Sequence, residues 1–283
     1  MGHKEHLHEQ PNSPPKPRAE IATKPVLYRI PGMDTVTVRQ DVVYHAPDTG
    51  ALTMDLYYPP DAKSGAQIPA VVFVTGLSDL GAEAMIGCKF KEMESYISRA
   101  RLAAASGLVA ITYTNREPAA DLQALFGYLR QNAAALGIDG NRIGVWSCSG
   151  HVPVALAALM QPESREYLKC AALVYGYTLD LDGATGVAEF FGRWGLSAPC
   201  AGKTVRDLPP DLPLFVARSG KDETPRLNEA LDRFLSHALA CNLPITLANH
   251  AAAPHAFDLV HDSETSREIV RQILTFLRFH LSR

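Results

Sequence analysis

The chain has 283 residues, 47% hydrophobic and 20% charged, enough apolar mass to bury a sizeable core without disulfide or metal staples, which excludes a disordered or fibrous protein. Its 27 basic and 30 acidic side chains leave a formal charge of −3, so the basic field that draws proteins to nucleic acid or acidic membranes is missing and neither partner is expected. Five scattered cysteines (88, 148, 170, 200 and 241) form no CxxC pair or zinc knuckle, which favours a reducing compartment. No apolar run approaches the ~18–20 residues that span a bilayer. The N-terminal MGHKEHLHEQ lacks the apolar stretch of an export signal, so a cytoplasmic location is expected.

In chain order, residues 1–25 carry five prolines and many charges, a composition that predicts a flexible tail. His3, His6 and His8 lie in it and read as solvated, incidental histidines rather than a metal site. Residues 26–283 read as one domain. The segments 36–44 and 52–58 alternate apolar and polar residues around a Pro-Asp-Thr-Gly turn, the pattern of an antiparallel hairpin at a sheet edge with one wet face. Runs at 70–75, 108–112, 142–146, 171–175 and 214–217 are short and almost continuously apolar, as expected of parallel strands covered on both faces. Leu122, Leu125, Phe126 and Leu129 follow helical spacing, with Pro118 suited to the first turn and Gly137 beyond the end. Ile269, Val270, Ile273, Leu274, Leu277 and Leu281 repeat that spacing at the C-terminus. Strands alternating with helices predict a mostly parallel, doubly wound α/β sheet, in which ligands sit at the carboxyl ends of the strands.

The strand at 142–146 runs into Ser147-Cys148-Ser149-Gly150-His151 and then the helix-like VPVALAALM. A serine at the apex of a tight strand-to-helix turn is what a nucleophile elbow requires, with small residues two positions to either side. With Ser149 at the apex, Ser147 satisfies that requirement, the Gly150 N–H faces a developing oxyanion, and His151 breaks the pattern on the far side.

Here the chain resembles the α/β-hydrolase family, in particular its esterase and dienelactone-hydrolase-like members. DGNRIGVWSCSG resembles the family's elbow segment, IPAVVFVTG its oxyanion strand, SGKDETP its acid loop and PHAF its histidine loop. The resemblance implies an α/β-hydrolase fold and a triad in the chain order serine, acid, histidine: Ser149, Asp222 and His255. Glu223 is the reserve for the acid, and His250 and His261 the reserves for the base. Cys148 is a rival nucleophile because dienelactone hydrolases place a cysteine at the apex, but in that register the bulky Trp146 would occupy the small position. The resemblance also implies an oxyanion hole from Gly150 N–H and the loop after the oxyanion strand, where Gly76 permits close approach and Leu77 N–H donates; Thr75 stands where the family often has a histidine.

Residues 177–210 fall where hydrolases insert a small cap, and Phe190, Phe191 and Trp194 are candidates, with Cys148 and His151, to line the substrate pocket. The expectation is a serine carboxylester hydrolase for small esters, needing no cofactor or metal. A Cys148-dependent dienelactone-type hydrolase and a non-catalytic binding protein of the same fold remain open alternatives.

Overall fold

The computed structural model describes residues 17–48, 50–63, 65–179, 199–200 and 202–283. Segments rich in Val, Ile, Leu and Tyr form strands β1 (Thr37–His45), β2 (Leu52–Tyr58), β3 (Ile68–Val74), β4 (Val109–Tyr113), β5 (Ile138–Cys148), β6 (Leu168–Val174), β7 (Leu214–Ser219) and β8 (Ile245–His250). They join one sheet in the order β1-β2-β4-β3-β5-β6-β7-β8. The first two pairings are antiparallel and the rest parallel, as the pattern of continuous apolar runs predicts.

Those runs are continuous because each strand faces a core on both sides. Ala70, Val72 and Val74 of β3 pack with Leu122, Leu125, Phe126 and Leu129 of the helix Pro118–Gln131. The alternate residues Val71 and Phe73 pack with the helices Glu94–Ala105 and Glu264–Leu281. The last helix is capped by Ser263, whose Oγ accepts the Ser266 N–H at 3.1 Å, with Glu264 in the first turn and Arg278 in the last, favourable charges at both ends of the helix dipole.

Two expectations change. The hairpin's second strand is not an edge: β2 lies between β1 and β4 and buries Leu52, Met54, Asp55, Leu56 and Tyr57. Asp55 made one face look wet, yet its carboxylate is inside, 2.8 Å from Lys91 Nζ, which also reaches Asp41 at 2.6 Å. Residues 17–25, assigned to a tail by composition, pack on the body. Ala22 is fully buried, the Ala19 N–H donates to Ile86 O at 3.0 Å, and the Val26 N–H just beyond donates to Ser98 Oγ at 2.9 Å. Backbone hydrogen bonds and a few apolar side chains, Ala19, Ile21 and Ala22, make those attachments, and composition does not report where they land. Residues 1–16, with His3, His6 and His8, and most of the expected cap, with Phe190, Phe191 and Trp194, lie outside the described residues. No described helix is long and apolar enough to cross a membrane.

Candidate active site

β5 ends at Cys148, and a single turn, Ser149–His151, leads into the helix Val152–Leu159. Ser149 has φ of +55°, a conformation that costs an L-residue roughly 1–2 kcal/mol and that persists only where surrounding structure enforces it. Cys148 is still extended, at φ −127° and ψ 149°, so the apex of the bend is Ser149. The Cys148 thiol is buried and burial pushes its pKa up, the opposite of what an attacking thiolate needs. Trp146 is buried and stacks on Phe73 with ring centres 5.4 Å apart.

Ser149 Oγ lies 2.8 Å from His255 Nε2, and His255 Nδ1 lies 2.6 Å from Asp222 Oδ2. The other Asp222 oxygen accepts the Thr224 N–H at 3.0 Å, and the carboxylate is fully enclosed. Burial works to raise its pKa, but the hydrogen bonds from His255 and Thr224 outweigh it and hold the group below its ordinary value. The three side chains stand on loops after β5, β7 and β8, at the carboxyl ends of parallel strands. The acid and histidine loops are laced together: Gly220 N–H donates to His250 O and Lys221 N–H to Ala253 O, both at 2.9 Å. A Cβ on Gly220 would come 2.5 Å from Ala251 O, so the approach of the two loops depends on that glycine. The reserves fall elsewhere. Glu223 is exposed, His250 is buried against Ser263 and Ser266, and His261 packs on His250.

His151 explains how a bulky residue fits one position past Gly150. A Cβ on Gly76 would lie 2.8 Å from His151 Cα and 2.9 Å from Gly150 O, so the smallness demanded at the elbow has moved to the facing loop. The Gly76 N–H donates to His151 Nδ1 at 2.7 Å; this amide is therefore committed, and the proton of the neutral ring sits on Nε2. The Leu77 N–H has no hydrogen-bond partner among the described residues. Thr75, standing where a histidine was expected, is held instead by Asn115 Nδ2 on its Oγ1 at 2.5 Å and by its own N–H on Tyr113 Oη at 3.2 Å.

A cavity of about 170 Å³ opens beside Ser149 and His255, walled by Ile21, Phe90, Met93 and Leu259, with Cys148 and His151 also on its lining. Two larger hollows, of about 430 and 280 Å³, lie away from these residues. Three residues of the site left no trace in the sequence reading: Arg99 and Tyr175, which line the cavity, and Asp258 behind them. Arg99 and Asp258 form a buried ion pair at 2.8 Å, and the Tyr175 hydroxyl donates to Asp258 Oδ1 at 2.7 Å and accepts from Arg99 Nη2 at 2.9 Å. The Tyr175 ring packs edge-on to the His255 ring at 5.0 Å. An arginine in an alanine-rich helix and an aspartate three residues past a histidine have no local signature; only the fold brings them together.

Among solved structures, the chain is similar to the apo form of esterase 2 of the planctomycete Thermogutta terrifontis, at 20% identity and TM-score 0.66 over 87% of this chain and 95% of that one. A fungal esterase structure from Rhizomucor miehei is similar at 14% identity and TM-score 0.65, over 87% and 85% of the two chains. The chain has the α/β-hydrolase fold. No family model matches its sequence, and no curated protein does.

Within this fold the His151 ring is held neutral, burial and the nearby Arg99 lowering its pKa to about 4. Because the folded value lies below the ordinary 6.5, the stability linked to it is complete above pH 6.5 and is lost as pH falls toward 4. The expected loss is about 2–3 kcal/mol, since each pKa unit corresponds to about 1.4 kcal/mol and the ring keeps some solvent contact. Urea unfolding at pH 7 and pH 4.5 should show a smaller pH effect in His151→Leu than in wild type; equal slopes would remove His151 as the cause.

Proposed function

We propose that this protein is a serine carboxylester hydrolase for small esters. The observation that carries the reading is the continuous hydrogen-bonded series Ser149 Oγ, His255, Asp222 at the strand ends of an α/β-hydrolase sheet. A serine hydroxyl is a poor nucleophile until a base removes its proton and a third group fixes that base.

In the proposed mechanism Ser149 Oγ attacks the ester carbonyl carbon while His255 Nε2 takes its proton. Asp222 holds His255 in the tautomer that accepts at Nε2 and stabilises the imidazolium. The tetrahedral oxyanion is met by the N–H groups of Gly150 and Leu77; Gly76 provides close approach, its own amide being spent on His151. Each such donor is worth about 10²–10³ in turnover. As the tetrahedral intermediate collapses, His255 returns the proton to the leaving alkoxide, freeing the alcohol and leaving an acyl-Ser149. Water then attacks the acyl-enzyme with His255 as base, releasing the acid and restoring the Ser149 hydroxyl.

Supporting the reading, the Thermogutta esterase is described with propionate and with butyrate bound, phosphorylated by paraoxon and phosphonylated by sarin. The volume beside Ser149 is likewise suited to a short acyl group. The five cysteines are all unpaired, which fits a reducing, cytoplasmic setting.

The test is mass spectrometry after treatment with a fluorophosphonate. One adduct per chain on the peptide carrying Ser149, with parallel loss of p-nitrophenyl butyrate hydrolysis, is the expected result. Because Cys148 sits on the same peptide, fragmentation must place the adduct on Ser149. Inactivation by iodoacetamide with no response to the fluorophosphonate would shift the chemistry to Cys148.

A further inference from the structure

We infer that the cavity beside Ser149 selects acyl groups carrying a neutral acceptor oxygen, a keto or ether group along the chain, over all-carbon chains and over chains ending in a carboxylate. The inference rests on the ester-hydrolase reading and names its substrate class.

Arg99 carries it. Its side chain is 95% enclosed, with 5% exposure, and it borders the cavity. Nε and Nη2 are consumed by Asp258 and by the Tyr175 hydroxyl. Nη1 has no hydrogen-bond partner among the described residues, and it is not among the side-chain atoms sealed from solvent. Arg99 borders an otherwise largely apolar hollow with two N–H groups on Nη1 that no described residue accepts, and a substrate oxygen that displaces water from so enclosed a cation gains where it can accept them. A second donor borders the same hollow. With Nδ1 accepting from Gly76, the neutral His151 presents Nε2–H. The one carboxylate bonded to Arg99, that of Asp258, is filled by Arg99 and Tyr175, so it offers no competing acceptor.

The charge balance decides which acceptor. Arg99 is already neutralised by Asp258 in contact with it, so the site presents hydrogen-bond donors without net positive charge. A carboxylate entering it would be desolvated beside a cation that is spent and within range of a second carboxylate, which disfavours it. A ketone or ether oxygen accepts from Nη1 with no such penalty.

The test compares kcat/KM for p-nitrophenyl levulinate with p-nitrophenyl pentanoate, and p-nitrophenyl 5-oxohexanoate with the hexanoate, each corrected for its spontaneous hydroxide rate. Mono-p-nitrophenyl glutarate is the charged probe. At least one keto ester should exceed its all-carbon partner by about tenfold, a difference of about 1.4 kcal/mol, and the glutarate should fall below the pentanoate. In Arg99→Met/Asp258→Leu, which removes both charges together, the keto preference should drop to about one; a ratio within one protein is unaffected by a general loss of activity. Keto ratios of one or less in the wild type overturn the inference without needing any variant. So does a preference for the glutarate, or a keto preference that survives in the double variant. A protein that hydrolyses the pentanoate without discrimination leaves the esterase reading standing and removes only this inference, whereas one that hydrolyses none of these esters removes both.

Discussion

Ser149→Ala should lower kcat for p-nitrophenyl butyrate by about 10⁴–10⁶-fold, Asp222→Asn should lower it by about 10⁴-fold, and the two together should be no worse than Ser149→Ala alone. The non-additivity is the informative part. His255 Nδ1 lies 2.6 Å from Asp222 Oδ2, and its Nε2 lies 2.8 Å from Ser149 Oγ, so the three groups would work as one proton-handling unit. Asparagine at 222 can turn its amide N–H₂ toward Nδ1, which stabilises the ring with its proton on Nε2. That tautomer cannot take a proton from Ser149. The ring would remain in place and the variant should fold, because Oδ1 of the amide can still accept from Thr224. The residual rate in each variant would report what the proposed oxyanion donors, Gly150 and Leu77 N–H, contribute without a working nucleophile–base pair. Single-turnover kinetics on purified variants with wild-type unfolding midpoints make the comparison clean. A Ser149→Ala protein that keeps more than about 1% of activity would falsify the assignment of the nucleophile.

The second large effect concerns stability. Arg99→Met should cost about 3–5 kcal/mol, read from urea unfolding at pH 7, because it removes one partner of a buried ion pair and leaves the enclosed Asp258 carboxyl with only Tyr175 for support. Adding Asp258→Leu should restore much of that loss, since removing both charges removes the desolvation penalty as well. The coupling between the two substitutions should reach the upper part of the usual range of about 0.5–3 kcal/mol for contacting residues. Activity should not recover in step with stability, because the Tyr175 hydroxyl loses both partners and its ring flanks His255 at 5.0 Å. Purely additive unfolding energies would show that the pair contributes nothing beyond its separate side chains.

The location of the candidate site was legible because a strand–turn–helix elbow is a local feature. Strand, tight turn and helix are adjacent in sequence, and Ser147 and Gly150 supply the small residue and the amide within two positions of Ser149. The acid and histidine loops were legible only through their order along the chain and their likeness to family segments. The 2.8 and 2.6 Å contacts join residues 106 and 33 positions apart. His151 looked like a defect, since the sequence around it does not contain Gly76, the residue 75 positions away that makes room for it and bonds its ring. Asp55 misled the reading of β2 for a related reason: a buried carboxylate and a wet one are the same letter, and Lys91 is supplied from outside the strand.

By itself the sequence determined the alternation of strands and helices, because hydrophobic periodicity is a property of neighbouring residues and dictates which faces can be buried. It determined the elbow as well. Tertiary structure alone decided the order of the strands, the burial of β2, the attachment of residues 17–25, and the Arg99–Asp258–Tyr175 cluster beside the cavity. Each of these depends on groups brought together from distant positions, where burial and charge compensation set the energy and local composition carries no record of the partner.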